Sequence, residues 1–337
     1  MVFPPKKKDY IIKKKINNKK MDNLINDSIN AFSSQVIVYK NGEKILDLKN
    51  KNDNKIIRTY SVTKSFCALA IMFLIQDKKI KSVNDKISDY IKSWKYGKKK
   101  DITIEHILTH TSGLDKHWNY DDFMFPEGKI KLFLSGKGKK PNVQEISLVI
   151  DKVQENDKEW FYNDTATQLI PTLVHVITKI QIDKYLNKKL FKPLNIKFKW
   201  NKDDDGNAYG PNGILMSGND LCKIGLLILN NGKWENKKIL DNKLINQMVK
   251  KRIDKKEIKK DFKWSRTTST GYGYLWWNHK NINYMYGFLG QYLLIDKKNK
   301  IVAIRLIQSR WENKNFEKET QKDNLHFNNF KNLIEKL

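Results

Sequence analysis

Cysteine occurs only twice in the 337 residues, at Cys67 in FCALAIMFLI and Cys222 in DLCKIGLLIL. Apolar neighbours of this kind suit free buried thiols and a reducing compartment, not a disulfide framework. Proline numbers 7 and glycine 16, with no stretch dense in either, so nothing in the sequence reads as a flexible linker. No apolar run approaches the roughly 18 residues of a membrane span. The opening MVFPPKKKDYIIKKKINNKK carries charge but no apolar core of signal-peptide length. The expectation is a soluble cytoplasmic protein that needs no membrane. Arginine is also scarce, confined to Arg58, Arg252, Arg266, Arg305 and Arg310 among 65 Lys+Arg. Set against 37 Asp+Glu, the net charge is +28. Sites that grip phosphates and bases favour the forked guanidinium, and this surplus is lysine smeared along the whole chain. It reads as a solvated lysine surface with Lys, Asn and Ile raised together by codon bias. Nonspecific polyanion or nucleic-acid binding stays open as an alternative.

What the chain does have is enough apolar material for a large core. Hydrophobic residues make up 39% and aromatics 11%, distributed from Phe3 to Phe330, which excludes a disordered chain. Residues 1–33 read as a lysine-rich tail, mobile to about Lys20, followed by a first helix; residues 34–337 read as one domain. QVIVYKNGEKILDL forms two strands, about 35–48, around the Asn41-Gly42 hairpin signal. SVTKSFCALAIMFLIQDKKI is apolar on nearly every side and predicts a helix buried all round. Helical patterns continue in VNDKISDYI, TIEHILTH, QLIPTLVHVITKI, GNDLCKIGLLILNNG and LINQMVKK, so about 65–255 is largely helical. GYGYLWWN, INYMYG, QYLLID and KIVAIRLIQ return to strand patterns over about 271–308, and a last helix covers about 315–336. Strands at both ends with helices between predict an α+β fold: an antiparallel sheet flanked by helices.

Chemistry centres on Ser61-Val62-Thr63-Lys64 at the mouth of the apolar helix. Residues three apart share a helical face, so the Lys64 amine can reach the Ser61 hydroxyl. A serine is a poor nucleophile until a neighbour takes its proton, and a lysine does so when burial lowers its pKa. The helix N-terminus adds outward N–H groups able to hold an oxyanion.

SVTKSF with its apolar helix, DKISDYI, ITIEHILTHTSGL, YGPNGILMSGNDLCKIGLLILNNGKWENKKIL and GYGYLWW together closely resemble the serine β-lactamase and penicillin-binding-protein superfamily, in its class C and esterase branch. The resemblance covers about Ser34 to Gln308. It implies a serine hydrolase that forms an acyl-enzyme on a small ester, amide or β-lactam-like carbonyl, without metal or organic cofactor. Ser61 corresponds to the nucleophile, and Lys64 and Tyr162 to its acid–base partners. The family's Tyr-x-Asn motif is matched by Tyr162-Asn163-Asp164, with Asp164 in place of the usual asparagine. A carboxylate there favours the ammonium form of Lys64 and moves proton acceptance toward Tyr162 or a Lys64/Asp164 unit. The third motif aligns with Met285-Tyr286-Gly287, which gives Phe288 the second oxyanion N–H; Phe288-Leu289-Gly290 is the rival register. Either way the cationic or polar side chain that helps seat a substrate carboxylate in β-lactamases is missing, so small esters and amides gain weight over antibiotics.

The competing readings are a catalytically idle binding or scaffold protein, suggested by the altered motifs, and polyanion binding. His106 and His110 stand at i, i+4 but lack the glutamate of HExxH, so no metal site is expected. His117, Trp118 and His279 read as surface or core residues. Tyr274, Trp276 and Trp277 read as core, and Tyr272 as the member of that set nearest the pocket.

Overall fold

The computed structural model describes residues 5–115, 142–258, 269–308 and 323–337. Strand β1 (Tyr10–Lys14) leads to helix α1 (Lys19–Asn30), whose first turn is capped by Asn18 accepting from the Met21 N–H at 2.9 Å. The expected hairpin follows as β2 (Gln35–Lys40) and β3 (Glu43–Asn50). Asn41 and Gly42 both take positive φ, 51° and 81°, the backbone a two-residue hairpin loop requires. A short β4 (Ile57–Arg58) precedes the apolar helix α2 (Val62–Gln76), in which every residue from Val62 to Leu74 is buried.

Helices α3 (Ile104–Thr109), α4 (Val143–Val149), α5 (Asp164–Thr178) and α6 (Ile182–Leu186) come next. Strands β5 (Phe198–Trp200) and β6 (Ile214–Met216) pair with β4 in a three-stranded sheet that the sequence patterns did not disclose. Helix α7 (Gly218–Leu229), the hairpin β7 (Lys233–Trp234) and β8 (Lys237–Lys238), and helix α8 (Asn242–Val249) close the middle of the chain. Strands β9 (Ile253–Asp254), β10 (Gly271–Tyr272), β11 (Trp277–His279), β12 (Ile282–Gly287), β13 (Gln291–Asp296) and β14 (Ile301–Leu306) follow, and helix α9 (Asp323–Glu335) is last.

The large sheet has nine antiparallel strands in the order β1-β3-β2-β14-β13-β12-β11-β10-β9. N-terminal β2 lies beside C-terminal β14, with Gln35 opposite Leu306 and Lys40 opposite Ile301. All residues of β13 and β14 are buried, because helices cover both faces and no polar alternation is needed. On one face Leu293 and Val302 lie against Gly225 of α7. On the other, Phe327 of α9 packs on Tyr284, Tyr286 and Tyr292 at 4.9, 5.5 and 4.7 Å between ring centres. The α+β antiparallel architecture is the one expected.

Two local expectations are corrected. The lysine-rich opening is not a mobile tail to Lys20: β1 pairs with β3 from Tyr10–Asn50 to Lys14–Leu46, and Tyr10 and Met21 join the main core. Tyr10 and Ile12, on one face of the strand, pack on the core and outweigh the flanking lysines. VNDKISDYI is not a helix but a single 3-10 turn, Ile87–Asp89, because Asp85 accepts from the N–H groups of Lys81 and Ser82 and from the Tyr90 hydroxyl. Such side-chain bonds compete with helix propagation. The last helix is described over Asp323–Glu335; its expected start at about 315, like His117 and Trp118, lies outside the described residues.

Candidate active site

Ser61 sits where β4 turns into α2. Tyr60, just before it, is held in the left-handed region at φ 49°, a conformation that costs a non-glycine residue of order 1–3 kcal/mol. Thr59 donates its N–H and its hydroxyl to the Ile214 carbonyl of β6, both at 2.9 Å. Ile214 returns its N–H to the Thr63 hydroxyl at 3.1 Å, and that hydroxyl donates to the Tyr60 carbonyl at 2.7 Å. The small sheet therefore clamps both sides of Ser61 and holds the strained turn.

One helical turn on, the Lys64 ammonium is 1% exposed and surrounded by oxygen. It donates to Ser61 Oγ at 3.0 Å and to the Pro211 carbonyl at 3.1 Å, and pairs with Asp164 Oδ1 at 2.8 Å. Its Nζ lies 4.6 Å from the centre of the Tyr162 ring. Burial pulls the amine's pKa down, but the Asp164 carboxylate and Tyr162 push harder the other way, and the net direction is up. Acceptors on several sides call for an ammonium, so geometry and electrostatics agree on the resting charge.

Asp164 is the first residue of α5, where the helix dipole favours a carboxylate. Asn163 caps that helix by accepting from the Ala166 N–H at 2.8 Å and donates to the Leu114 and Asp115 carbonyls. Tyr162 lies two residues before Asp164, with its hydroxyl hydrogen-bonded to Ser61 and Lys64. Burial raises the phenol's pKa and the Lys64 cation only partly offsets this, so the phenol keeps its proton at neutral pH. Its ring packs on Trp277 at 6.1 Å, nearly parallel, and on His110 at 4.8 Å. His110 is a buried residue at the end of α3 whose Nδ1 accepts from the Asn163 N–H at 3.3 Å. Burial first, and Lys64 second, drive its pKa well below 6.5, so it is neutral. Tyr272, expected nearest the pocket, is 1% exposed and wedged between His110, Trp160 and Trp277.

The third-motif strand reaches the same place. A Cβ on Gly287 would come 2.2 Å from the Thr59 carbonyl oxygen, so only glycine lets β12 approach the turn that carries Ser61. Phe288 follows, 52% exposed, with its ring edge-on to Tyr60 at 5.6 Å. Tyr60 in turn lies under the Arg58 guanidinium at 4.9 Å, and Arg58 donates to Asn212 Oδ1. Tyr286 is not brought to Ser61: its ring lies on the opposite sheet face, against Tyr292 and Phe327. Neighbouring strand residues point to opposite faces, which leaves Met285, fully buried, on the α2 side.

Two contributors were not found from sequence. The Pro211 carbonyl carries no side-chain signal. Arg305 does carry one, a lone charge inside the apolar run IVAIRLI. Its buried guanidinium donates to Ser33 Oγ at 2.8 Å, to the Gly290 carbonyl at 2.9 Å and to the Ala31 carbonyl at 2.6 Å. It thereby anchors the turn after Gly287, whose carbonyl accepts from the Gly290 N–H at 3.1 Å.

Among the described residues no group of three or more His, Cys, Asp or Glu side chains could hold a metal. His106 is occupied elsewhere: its Nδ1 accepts from the Thr103 N–H, and its Nε2 faces Asp157 at 3.1 Å. Cys67 and Cys222 are free and buried. No helix among the described residues is long and apolar enough to cross a membrane.

In comparisons with known proteins, PbpX of Bacillus subtilis, provisionally named as a penicillin-binding protein, is 25% identical over 199 residues, 56% of this chain and 46% of PbpX. The chain thus spans about half the length, or less, of the curated relatives it matches. Among solved structures, a protein from Bacillus anthracis provisionally titled 6-aminohexanoate-dimer hydrolase superposes with a TM-score of 0.69 at 17% identity, over 90% of this chain and 80% of that one. EstCE1, titled a hydrolase with promiscuous acyltransferase activity, superposes at 0.67 with 15% identity, over 91% and 98%. These structural matches share the fold. The beta-lactamase family model matches residues 21–326, nearly the whole chain, and the protein belongs to that family.

Proposed function

We propose that the protein is a serine hydrolase acting through an acyl-enzyme on a neutral ester or amide, with Ser61 as nucleophile. The observation that carries this reading is the convergence of Ser61 Oγ, Lys64 Nζ and Asp164 Oδ1 at 3.0 and 2.8 Å, with the Tyr162 hydroxyl bonded to the first two. A lone ammonium cannot take the serine proton. The Lys64/Asp164 pair can, because it holds one transferable proton: when that proton shifts onto Asp164, Lys64 becomes a free amine beside Ser61. Ser61 Oγ then attacks the carbonyl carbon, its proton passes to Lys64, and the electron pair of the C=O moves onto oxygen. The backbone N–H groups of Ser61 and Phe288 are the donors for that oxyanion. Collapse of the intermediate expels the leaving group, which takes the Tyr162 proton, and Lys64 reprotonates the phenolate. Water then releases the acyl group over the same groups in reverse order.

Substrate charge follows from what flanks Ser61. Met285 stands, buried, where the family's third motif has a cation, and the Lys64 ammonium is already matched by Asp164. A substrate carboxylate would lack a counter-ion at Met285, whereas an apolar group can rest on Phe288 and Tyr60. The test pairs a fluorophosphonate probe with substrates. Wild type is labelled at Ser61, Ser61→Ala is not, and p-nitrophenyl esters turn over faster than a chromogenic cephalosporin. A cooperatively melting wild type that neither reagent acylates would instead be a binding protein.

A further inference from the structure

Between α2 and α3 the segment KSWKYGKKK, residues Lys92 to Lys100, carries five lysines and no acidic residue. Two of its side chains are anchors. Trp94, fully buried, donates its indole N–H to the Leu148 carbonyl at 2.9 Å. Lys99 donates to the carbonyls of Leu148 and Ile150 at 2.9 and 3.1 Å, with its Nζ 4.7 Å from the centre of the Trp94 ring. Both ends of the loop are thereby fixed on the end of α4, and the residues between the anchors, Lys95 to Lys98, are all exposed. Gly97 turns the tip at φ 79°, a conformation that glycine adopts without strain. A Cβ on Gly97 would meet no atom within 4 Å, so the tip stands clear of the body.

Tyr96 sits on that tip and is 80% exposed, more than any other aromatic among the described residues. Trp94 is the ring that packs, and Tyr96 is the ring that is held out. Lys95 Nζ lies 5.8 Å from the centre of the Tyr96 ring, and Lys98 and Lys100 are exposed beside it. Asp101, the first acidic residue after the loop, is paired with Lys86 at 2.7 Å. A rigidly presented ring bordered by ammonium groups suits a partner that is both anionic and flat-faced. Single-stranded nucleic acid is both: its bases stack on tyrosine and its phosphates meet lysine. In a duplex the base faces are stacked on one another, which leaves charge alone to attract it. An anionic membrane would draw the same lysines, but Ile91 and Trp94 are 5% and 0% exposed, so a single ring is all the described loop could insert.

We propose that this loop is a docking surface for single-stranded nucleic acid, with one base stacked on Tyr96 and the adjoining phosphates on Lys95, Lys98 and Lys100. It uses none of the residues around Ser61 and stands independently of the hydrolase reading. Binding to the full chain is measured at low salt by fluorescence anisotropy of a single-stranded oligonucleotide and of its duplex, and by competition with polyphosphate. The comparison proteins are wild type, Tyr96→Ala, Tyr96→Phe, Lys95→Gln/Lys98→Gln and the control Lys7→Gln/Lys8→Gln, which removes equal charge from exposed lysines near the buried Tyr10. Tyr96→Ala should weaken single-strand binding about tenfold and Tyr96→Phe should not, with duplex and polyphosphate binding alike in all three. Lys95→Gln/Lys98→Gln should weaken single-strand binding more than the control and flatten its dependence of log affinity on log salt by about 0.7 per lysine removed. Single-strand binding that is absent in wild type, or unchanged in Tyr96→Ala, overturns the proposal. So does equal weakening by the two lysine pairs, which would reduce the effect to diffuse surface charge. Binding to phosphatidylserine vesicles that depends on Tyr96, with none to single strands, would assign the loop to a membrane instead. Unchanged thermal melting checks that each variant is folded.

Discussion

Lys64 and Arg305 are both buried cations, 1% and 3% exposed, yet their surroundings differ in kind. Lys64 meets a carboxylate, a hydroxyl and a carbonyl. Among the described residues, Arg305 donates to carbonyl and hydroxyl oxygens, at Ala31, Gly290, Ser33 and, at 3.4 Å, Tyr292. A lysine beside a carboxylate can give up its proton, whereas a guanidinium cannot within a protein. On the proposed function one cation serves proton traffic and the other architecture. In the proposed mechanism both bear on the oxyanion position, Lys64 through Ser61 and Arg305 through the turn that carries Phe288.

The contrast breaks most sharply at Lys64. Lys64→Met should cut acylation of Ser61 by about 10³-fold while barely moving the melting temperature, read by stopped-flow with a chromogenic ester. Equal losses of rate and stability would mean that Lys64 is merely structural. Arg305→Met should do the reverse, lowering unfolding stability by about 3 kcal/mol because buried carbonyls lose their donors. Arg305→Lys should recover part of that in denaturant titration. Stability unchanged in Arg305→Met would remove the architectural role.

Asp164→Asn sharpens the comparison through pH. With the carboxylate present, the pair carries its proton across neutral pH and acylation stays level. Without it only Tyr162 is left to hold the Lys64 pKa up against burial, the pKa falls, and only the free amine can act. The variant's rate should climb about tenfold per pH unit until that lowered pKa is passed, and a level profile like wild type's would exclude the shared proton. Ser33→Ala is the mildest change. Removing one acceptor of Arg305 should cost about 1 kcal/mol in chemical denaturation and leave the Lys64-dependent pH profile unmoved.

Much of the fold could be read in advance, since strand periodicity in INYMYG and QYLLID and the Asn-Gly turn depend on local pattern alone. β12, β13 and the β2–β3 hairpin lie where those patterns put them. The three-stranded sheet of β4, β5 and β6 escaped because its strands are two or three residues long and gain stability from what they clamp. At the site, Ser61 and Lys64 follow from helical spacing and Tyr162 and Asp164 from the motif. The misplacement of Tyr286 has a simple cause: a motif names consecutive residues, but a strand sends them to opposite faces. Pro211 contributes a backbone atom, and no side-chain pattern announces a carbonyl.

The pairing of β2 with β14 sets a timetable for synthesis. Residues 35–40 can acquire their neighbour only after residues 301–306 have left the ribosome, which at typical elongation rates takes roughly tens of seconds. During that interval the greasy helix that follows Ser61 has no sheet to rest on, and Thr59 has no Gly287 beside it. A half-made chain is therefore sticky, and synthesis must pass Leu306 before the proposed active centre can assemble.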